Sequence, residues 1–364
     1  MLMAALPAAG QELAGWQASV DVLNILTRGN DVHVGDVFTE SQLDGGTSAN
    51  RTLDYGVTYD PIRTRMADRR SLLLAGGYRG GRWGAGARGW RVITKGDAEG
   101  RVQGPTPTAA FSAVTGVRMW DNSTIPVPDA TNPSRYSPLR FDAANRLEHL
   151  RIDGYVERVW LDDPELHVAV RFGVAHARME NTRREGNSQV ARGLIVDDDG
   201  ILKDLTNFIT LDAQSEATLQ LTGPSLGLSG GSRFGRLHVE WLVNPAILLG
   251  TADTAGEWLD IDDIRKIRVS NGAQETEFLR GVVETDLEDR ALVPVLDLQM
   301  KASVRIVGPL RVGAGLFTSS WFGLPVAPAF SVPGDWIDVE GTGWRPQARD
   351  VTFVAYSGFI AVGF

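Results

Sequence analysis

The 364-residue sequence sets 36 Lys and Arg against 45 Asp and Glu, a formal charge of −9, which leaves no basic surface to neutralise phosphates and sets nucleic acid aside as a partner. It contains no Cys, which removes disulfides, thiolate metal sites and cysteine nucleophiles together. No run of about 18 apolar residues is present that could cross a bilayer as a helix, yet 43% hydrophobic residues also suits a membrane barrel, whose strands alternate in polarity.

Residues 1–10 (MLMAALPAAG) are apolar and end in small side chains. They read as the remnant of a secretory signal peptide or as a disordered N-terminus, with residues 11–364 forming a single unit. A first strand-like stretch covers residues 15–26 (GWQASVDVLNIL). Strands then come in pairs: 70–80 (RSLLLAGGYRG) turns through Gly80-Gly81 into 82–94, and 147–160 (LEHLRIDGYVERVW) turns at Asp162-Asp163-Pro164 into 166–179. Further on, 217–229 turns at Gly230-Gly231 into 236–250, and 292–306 turns at Gly308-Pro309 into 310–322. Each short joint carries the Gly, Pro or Asp that a tight hairpin needs. Residues 350–364 (DVTFVAYSGFIAVGF) form the last stretch.

Between the hairpins lie long polar segments near 28–69, 95–146, 180–216, 251–290 and 323–349. They alternate strictly with the tight joints, so short turns gather on one rim and long loops on the other. That sorting predicts an all-β, transmembrane, antiparallel up-and-down barrel of about ten strands, with short periplasmic turns and long extracellular loops. Residues 108–120 (TAAFSAVTGVRMW) would raise the count to about twelve with a partner; we read them as loop structure above the rim.

Alternate residues of a barrel strand face lipid and lumen. Val354, Tyr356, Ile360, Val362 and Phe364 make one greasy row. Leu310, Val312, Ala314 and Leu316 make another, opposite Arg311, Gly313, Gly315 and Phe317. An inverted arrangement, apolar inside and charged outside, would suit a water-soluble barrel. Against it, Trp16, Tyr78, Trp83 and Trp160 fall on the apolar row near the short turns, as a membrane-interface girdle requires. The lumen row then carries Asp21, Arg88, Arg151, Asp153, Glu157, Arg171, His238, Glu240, Asp297, Lys301 and Arg311. The signs nearly balance, and facing charges in a narrow interior pair because an isolated ion there is costly. About ten strands leave little more room than the eight that side chains can fill, so the lumen is expected to be partly or wholly closed by ion pairs.

The stretches FDAANRLEHLRIDGYVERVW, LHVAVRFGVAHARME, LTGPSLGLSGGSRFGRLHVEWLVNPAILLG, LVPVLDLQMKASVRI and VTFVAYSGFIAVGF, in that order, resemble the pore-forming outer-membrane family typified by the Legionella major outer-membrane protein. The resemblance covers most of the strand-bearing sequence from about residue 70, departs in the first two long loops, and has no diagnostic catalytic signature. It implies a pore-forming barrel of the bacterial outer membrane, inserted by the barrel-assembly machinery through Phe364.

Catalytic and metal chemistry find little support in the residues. His149, His167 and His238 fall on inward positions where lumen hydrogen bonding accounts for them. The runs Asp197-Asp198-Asp199-Gly200 and Asp260-Ile261-Asp262-Asp263 could suit Ca²⁺, but neither has an EF-hand spacing and both read as solvated acidic surface. The expectation is therefore an outer-membrane barrel without enzymatic activity, cofactor or metal, its partners being outer-membrane lipids and lipopolysaccharide. It forms a narrow or gated pore for ions or small solutes. The alternative is a closed structural or adhesive barrel whose loops bind surface partners, and a rim enzyme is the remote one.

Overall fold

The computed structural model describes residues 15–31, 33–44, 53–102, 108–112, 118–121, 135–136, 139–163, 165–196, 200–331 and 343–363. Among them the chain forms fifteen strands: β1 (Gly15–Arg28), β2 (His33–Asp44), β3 (Leu53–Arg63), β4 (Arg69–Gly80), β5 (Trp83–Val102), β6 (Thr108–Ser112), β7 (Arg118–Asp121), β8 (Arg135–Tyr136), β9 (Leu139–Asp162), β10 (Leu166–Val196), β11 (Leu202–Phe234), β12 (Leu237–Arg268), β13 (Gln274–Val307), β14 (Leu310–Ser331) and β15 (Gly343–Gly363). Residues 1–10, Asp197 to Asp199 and Phe364 lie outside the described residues, and with them the signal, the first acidic run and the assembly signal.

Ten of these strands close into a ring in the order β1-β4-β5-β9-β10-β11-β12-β13-β14-β15, every neighbouring pair antiparallel. The seam is the pairing of β1 with β15, running from Gln17↔Gly363 to Arg28↔Thr352. The two-residue β8 adds to β10 at Ala191 and Arg192. The 108–120 stretch joins no barrel strand: β6 and β7 build a separate four-stranded sheet with β2 and β3. Closure leaves no lipid-exposed sheet edge, which is what lets strands cross a bilayer with every backbone group paired.

The short turns follow their glycines. Gly81 (φ 60°) and Gly308 (φ 54°) hold left-handed positions in the β4–β5 and β13–β14 hairpins. The β11–β12 turn sits at Gly235-Arg236 instead of Gly230-Gly231, with Gly235 at φ 63° and Phe234 paired to Leu237. Gly230 remains in β11 because the Trp241 ring lies against it: a Cβ there would stand 2.5 Å from Trp241 Cζ2.

The long-loop side differs more. The segments 180–216 and 251–290 are hydrogen-bonded strands for most of their length, since β10–β11 pair up to Val196↔Leu202 and β12–β13 up to Ile267↔Gln274. Charge and Gly content resembled loops because these strands rise out of lipid and are wet on their outer face. The exposed row changes from Phe172 and Val174 to His176, Arg178 and Glu180 on β10, and from Leu226 to Gln220 on β11. Exposed pairs Arg91–Glu148 and Arg178–Glu180 mark the upper border of the apolar band. Above it, β10 to β13 continue as a wall that, at about 3.3 Å per residue, is roughly 50 Å long along the strands.

Candidate functional site: the sealed interior

The exterior of the band is greasy. Trp16, Tyr78, Trp83 and Trp160 are exposed at the short-turn rim, Trp160 by 81%. Trp16 packs on Tyr78 at 5.4 Å between ring centres, and Arg158 lies over the Trp83 ring. Val20, Leu74, Ile152, Val156, Phe172, Leu228, Ile247, Met300 and Ile360 are all exposed between that rim and the charged border.

Inside, three layers stack along the axis. Nearest the short turns is a cavity of about 190 Å³ lined by charged and aromatic side chains. In it Glu157 accepts from Arg79 (2.8 Å) and Arg171 (3.0 Å), and Arg171 lies over the Tyr155 ring. Opposite, Glu240 accepts from Arg311 (2.9 Å) with His238 Nδ1 3.0 Å away.

The second layer is a charge-neutral ring of four ions. Arg88 Nε donates to Asp153 Oδ2 (2.9 Å), Arg151 Nε to Asp153 Oδ1 (3.0 Å) and Arg151 Nη1 to Asp297 Oδ1 (3.0 Å), and Arg88 Nη2 closes the circuit on Asp297 Oδ2. Ser319 adds a donor to Asp297 at 2.7 Å and receives one from Trp321 Nε1. Lys301 pairs with Asp21 at 2.9 Å beside it. Arg151 and Asp297 are fully buried. Burying such charges costs several kcal/mol per ion, which only complete pairing offsets.

The third layer is aromatic. Trp90 meets His149 (4.4 Å), Phe317 (5.4 Å) and Phe353 (5.2 Å), and His149 meets Trp321 (4.7 Å) and stacks on Phe353. Each such contact is worth about 0.5–1.5 kcal/mol beyond burial. Leu23, Ile25, Leu73, Leu147, Leu219, Leu248 and Val293 complete an apolar core here. The expected polar lumen is thus corrected: the interior is polar toward the short turns and apolar above, because a ten-stranded bore is narrow enough for side chains to fill. All eleven lumen residues named from the sequence face inward, and the structure joins ten of them with Arg79 in the lower two layers. His238 completes the set through Arg311. The aromatic layer was missed, although Trp90, His149, Trp321 and Phe353 share the inward parity. His149 makes no hydrogen bond here; both ring nitrogens are buried without a partner.

Over this core the β14–β15 hairpin folds into the barrel. Gly323 (φ 61°) and register shifts at Trp321/Leu324 and Val326/Ala329 bend it inward. Leu324, Val326 and Phe330 bury there. Ala327 N donates to Asn181 Oδ1 of β10 (3.0 Å), Phe330 stacks on Trp258 of β12 (4.7 Å), and Trp344 Nε1 donates to the Val283 carbonyl of β13 (3.0 Å). The segment expected as a loop at 323–349 is, in its described part, an internal plug. Among the described residues no group of three or more His, Asp or Glu is placed to hold a metal ion.

A closed antiparallel ring, a lipid-facing apolar band with an aromatic girdle, and ions turned inward define an outer-membrane β-barrel. No protein-family model and no curated protein matches the chain, so the narrower resemblance to the family of the Legionella major outer-membrane protein rests on the quoted stretches alone. Among solved structures, the outer membrane protease OmpT of Escherichia coli aligns over 96% of this chain and 97% of its own at 10% identity and a TM-score of 0.43. The transport unit of the autotransporter AIDA-I of Escherichia coli aligns over 99% and 93% at 8% and 0.31. The toluene transporter TodX of Pseudomonas putida aligns over 96% and 90% at 8% and 0.30. Likenesses this distant say nothing of substrate or mechanism. The expectation that the chain is not an enzyme is nonetheless withdrawn on this finding, because the first of these barrels is itself an enzyme.

Proposed function

We propose that the barrel is a sealed outer-membrane anchor whose working surface is the strand wall above the apolar band. The observation that carries this reading is the obstruction of the bore beyond the short-turn cavity: a charge-neutral ion ring, an aromatic layer and an inserted hairpin lie in series across it. A solute would have to displace all three. The length of β10 to β13 beyond the band supports a role for the wall, since a bare membrane plug needs no such extension. Planar-bilayer recording of the refolded protein should show no steps at any holding voltage; steady conductance in the unmodified protein would sink the reading.

A second reading, a gated pore for ions or small solutes, is favoured by the ion-lined cavity at the short-turn end, which already makes a polar vestibule reaching the ion ring. Under it, shortening the β14–β15 hairpin opens a conductance. Silence in that variant as well would remove it.

A further inference from the structure

The inward bend of β14 leaves something behind. The β13–β14 ladder ends at Val295↔Trp321, and above that point β14 pairs with β15 alone. Over residues 276–294, β13 is therefore paired only with β12 among the described residues. Apart from Val283, which packs beside Trp344 and accepts its indole hydrogen bond on the carbonyl, and the half-buried Thr285, this stretch is wet up to Arg290, and Phe278, Leu279, Val282 and Leu287 stand exposed on it. Natural proteins blunt such edges with Pro, a bulge or charged side chains. Here only charge guards the edge against self-pairing, and neither Pro, Lys nor a bulge interrupts residues 276–290 (TEFLRGVVETDLEDR) to stop a strand of opposite sign.

The edge also carries a sign. Glu277, Glu284, Asp286, Glu288 and Asp289 outnumber Arg280 and Arg290, and the adjoining strand adds Asp253, Glu257, Asp260, Asp262 and Asp263 against Arg265, Lys266 and Arg268, of which Lys266 pairs with Glu277 and Arg265 with Asp263. The charged outward residues Glu284, Asp286 and Glu288 lie between the exposed Phe278 and Val282 and the lipid band, so those apolar side chains stand in water. Pairing with a second copy of the same edge would oppose carboxylates to carboxylates, which is destabilising. A chain of opposite charge gains both the backbone ladder and the ion pairs.

Resting on the reading of the wall as the working surface, we propose that the upper edge of β13 binds an extended segment of a basic protein by strand addition, its backbone completing the ladder that β14 abandons and its Lys or Arg side chains meeting the acidic row.

The test uses the full chain refolded in liposomes and a labelled synthetic peptide of alternating Lys and Val. Saturable binding is expected, weakened by about tenfold, or 1.4 kcal/mol, when alternate peptide nitrogens are methylated, because methylation blocks the ladder and leaves charge unchanged. An alternating Glu-Val peptide should not bind, and the triple variant Glu284→Lys, Asp286→Lys, Glu288→Lys should exchange the two preferences. Equal binding of methylated and unmethylated peptides would reduce the contact to charge alone and overturn the proposal, as would no binding of the Lys-Val peptide or self-association of the edge in cross-linking. Conductance of the same liposomes reports separately on the sealed-barrel reading, so either can fail without the other.

Discussion

Arg88 on β5 and Asp297 on β13 hold hands across the full width of the barrel. Four strands separate them on one side of the ring (β9, β10, β11, β12) and four on the other (β4, β1, β15, β14), yet Arg88 Nη2 donates directly to Asp297 Oδ2. A single contact thus ties opposite walls together. Arg88→Leu removes a cation that serves two carboxylates and should destabilise the barrel by about 3–5 kcal/mol, the cost of stranding a buried charge. Arg88→Leu with Asp297→Leu leaves the neutral Arg151–Asp153 pair and should recover much of that loss. Melting followed by tryptophan fluorescence in micelles gives the double-mutant cycle; strict additivity would show that the two residues are not coupled.

His149 predicts a change of the opposite sign. Its ring is enclosed by Trp90, Trp321 and Phe353 with neither nitrogen bonded. An unsatisfied buried polar group costs about 1–3 kcal/mol, so His149→Phe should raise the melting midpoint. A lower midpoint would mean that a nitrogen is satisfied, for example by water.

Gly323 governs the plug. Its φ of 61° is a conformation that a side chain disfavours by about 1–2 kcal/mol, so Gly323→Val should loosen the hairpin while the ring below stays closed. Faster amide exchange over residues 324–330, with unchanged exchange in β9 and β10 within the band, is the expected pattern.

The lipid band has its own test. Val174 and Val196 are both outward and exposed, by 57% and 66%, but only Val174 lies below the charged border. Val174→Arg should cost about 2–4 kcal/mol in lipid, and Val196→Arg close to nothing. Equal effects in liposome refolding would misplace the band.

Asp260 stands above the band, where burial first and the Asp262 carboxylate second push its carboxyl up to about 6. Between about 6 and the ordinary carboxylate value the folded wall holds a proton that the unfolded chain has released, so local stability should rise as pH falls through that window and be lost again as pH climbs past 6. Amide protection in the upper parts of β12 and β13, taken relative to the intrinsic base-catalysed exchange rate at each pH, should rise from pH 7.5 to pH 5, and Asp260→Asn should abolish that rise.

Strand parity was legible because it is local. A row such as Leu296, Leu298, Met300 against Asp297, Gln299, Lys301 carries its facing in the residues themselves, so the inward ions and the girdle tryptophans could be placed without coordinates. The filling of the bore was less legible, since Trp90 and Phe353 become neighbours only once β5 and β15 curve toward each other. The wall was hidden for another reason. Above lipid both faces of a strand tolerate charge and Gly, so residues 180–216 and 251–290 lost the alternation that marks a membrane strand and took on the composition of loops. Nothing near Gly323 announced that a hairpin would turn inward and strip β13 of a neighbour.

The seam between β1 and β15 sets the order of assembly. Its two strands are drawn from opposite extremes of the described chain, so the hydrogen bonds from Gln17↔Gly363 to Arg28↔Thr352 are the most non-local in the molecule. Non-local pairing is slow. Until it happens, β1 and β15 both present raw edges that neither water-soluble packing nor lipid can satisfy. The growing sheet therefore keeps two open edges until its last pairing step, each able to capture a strand of another chain.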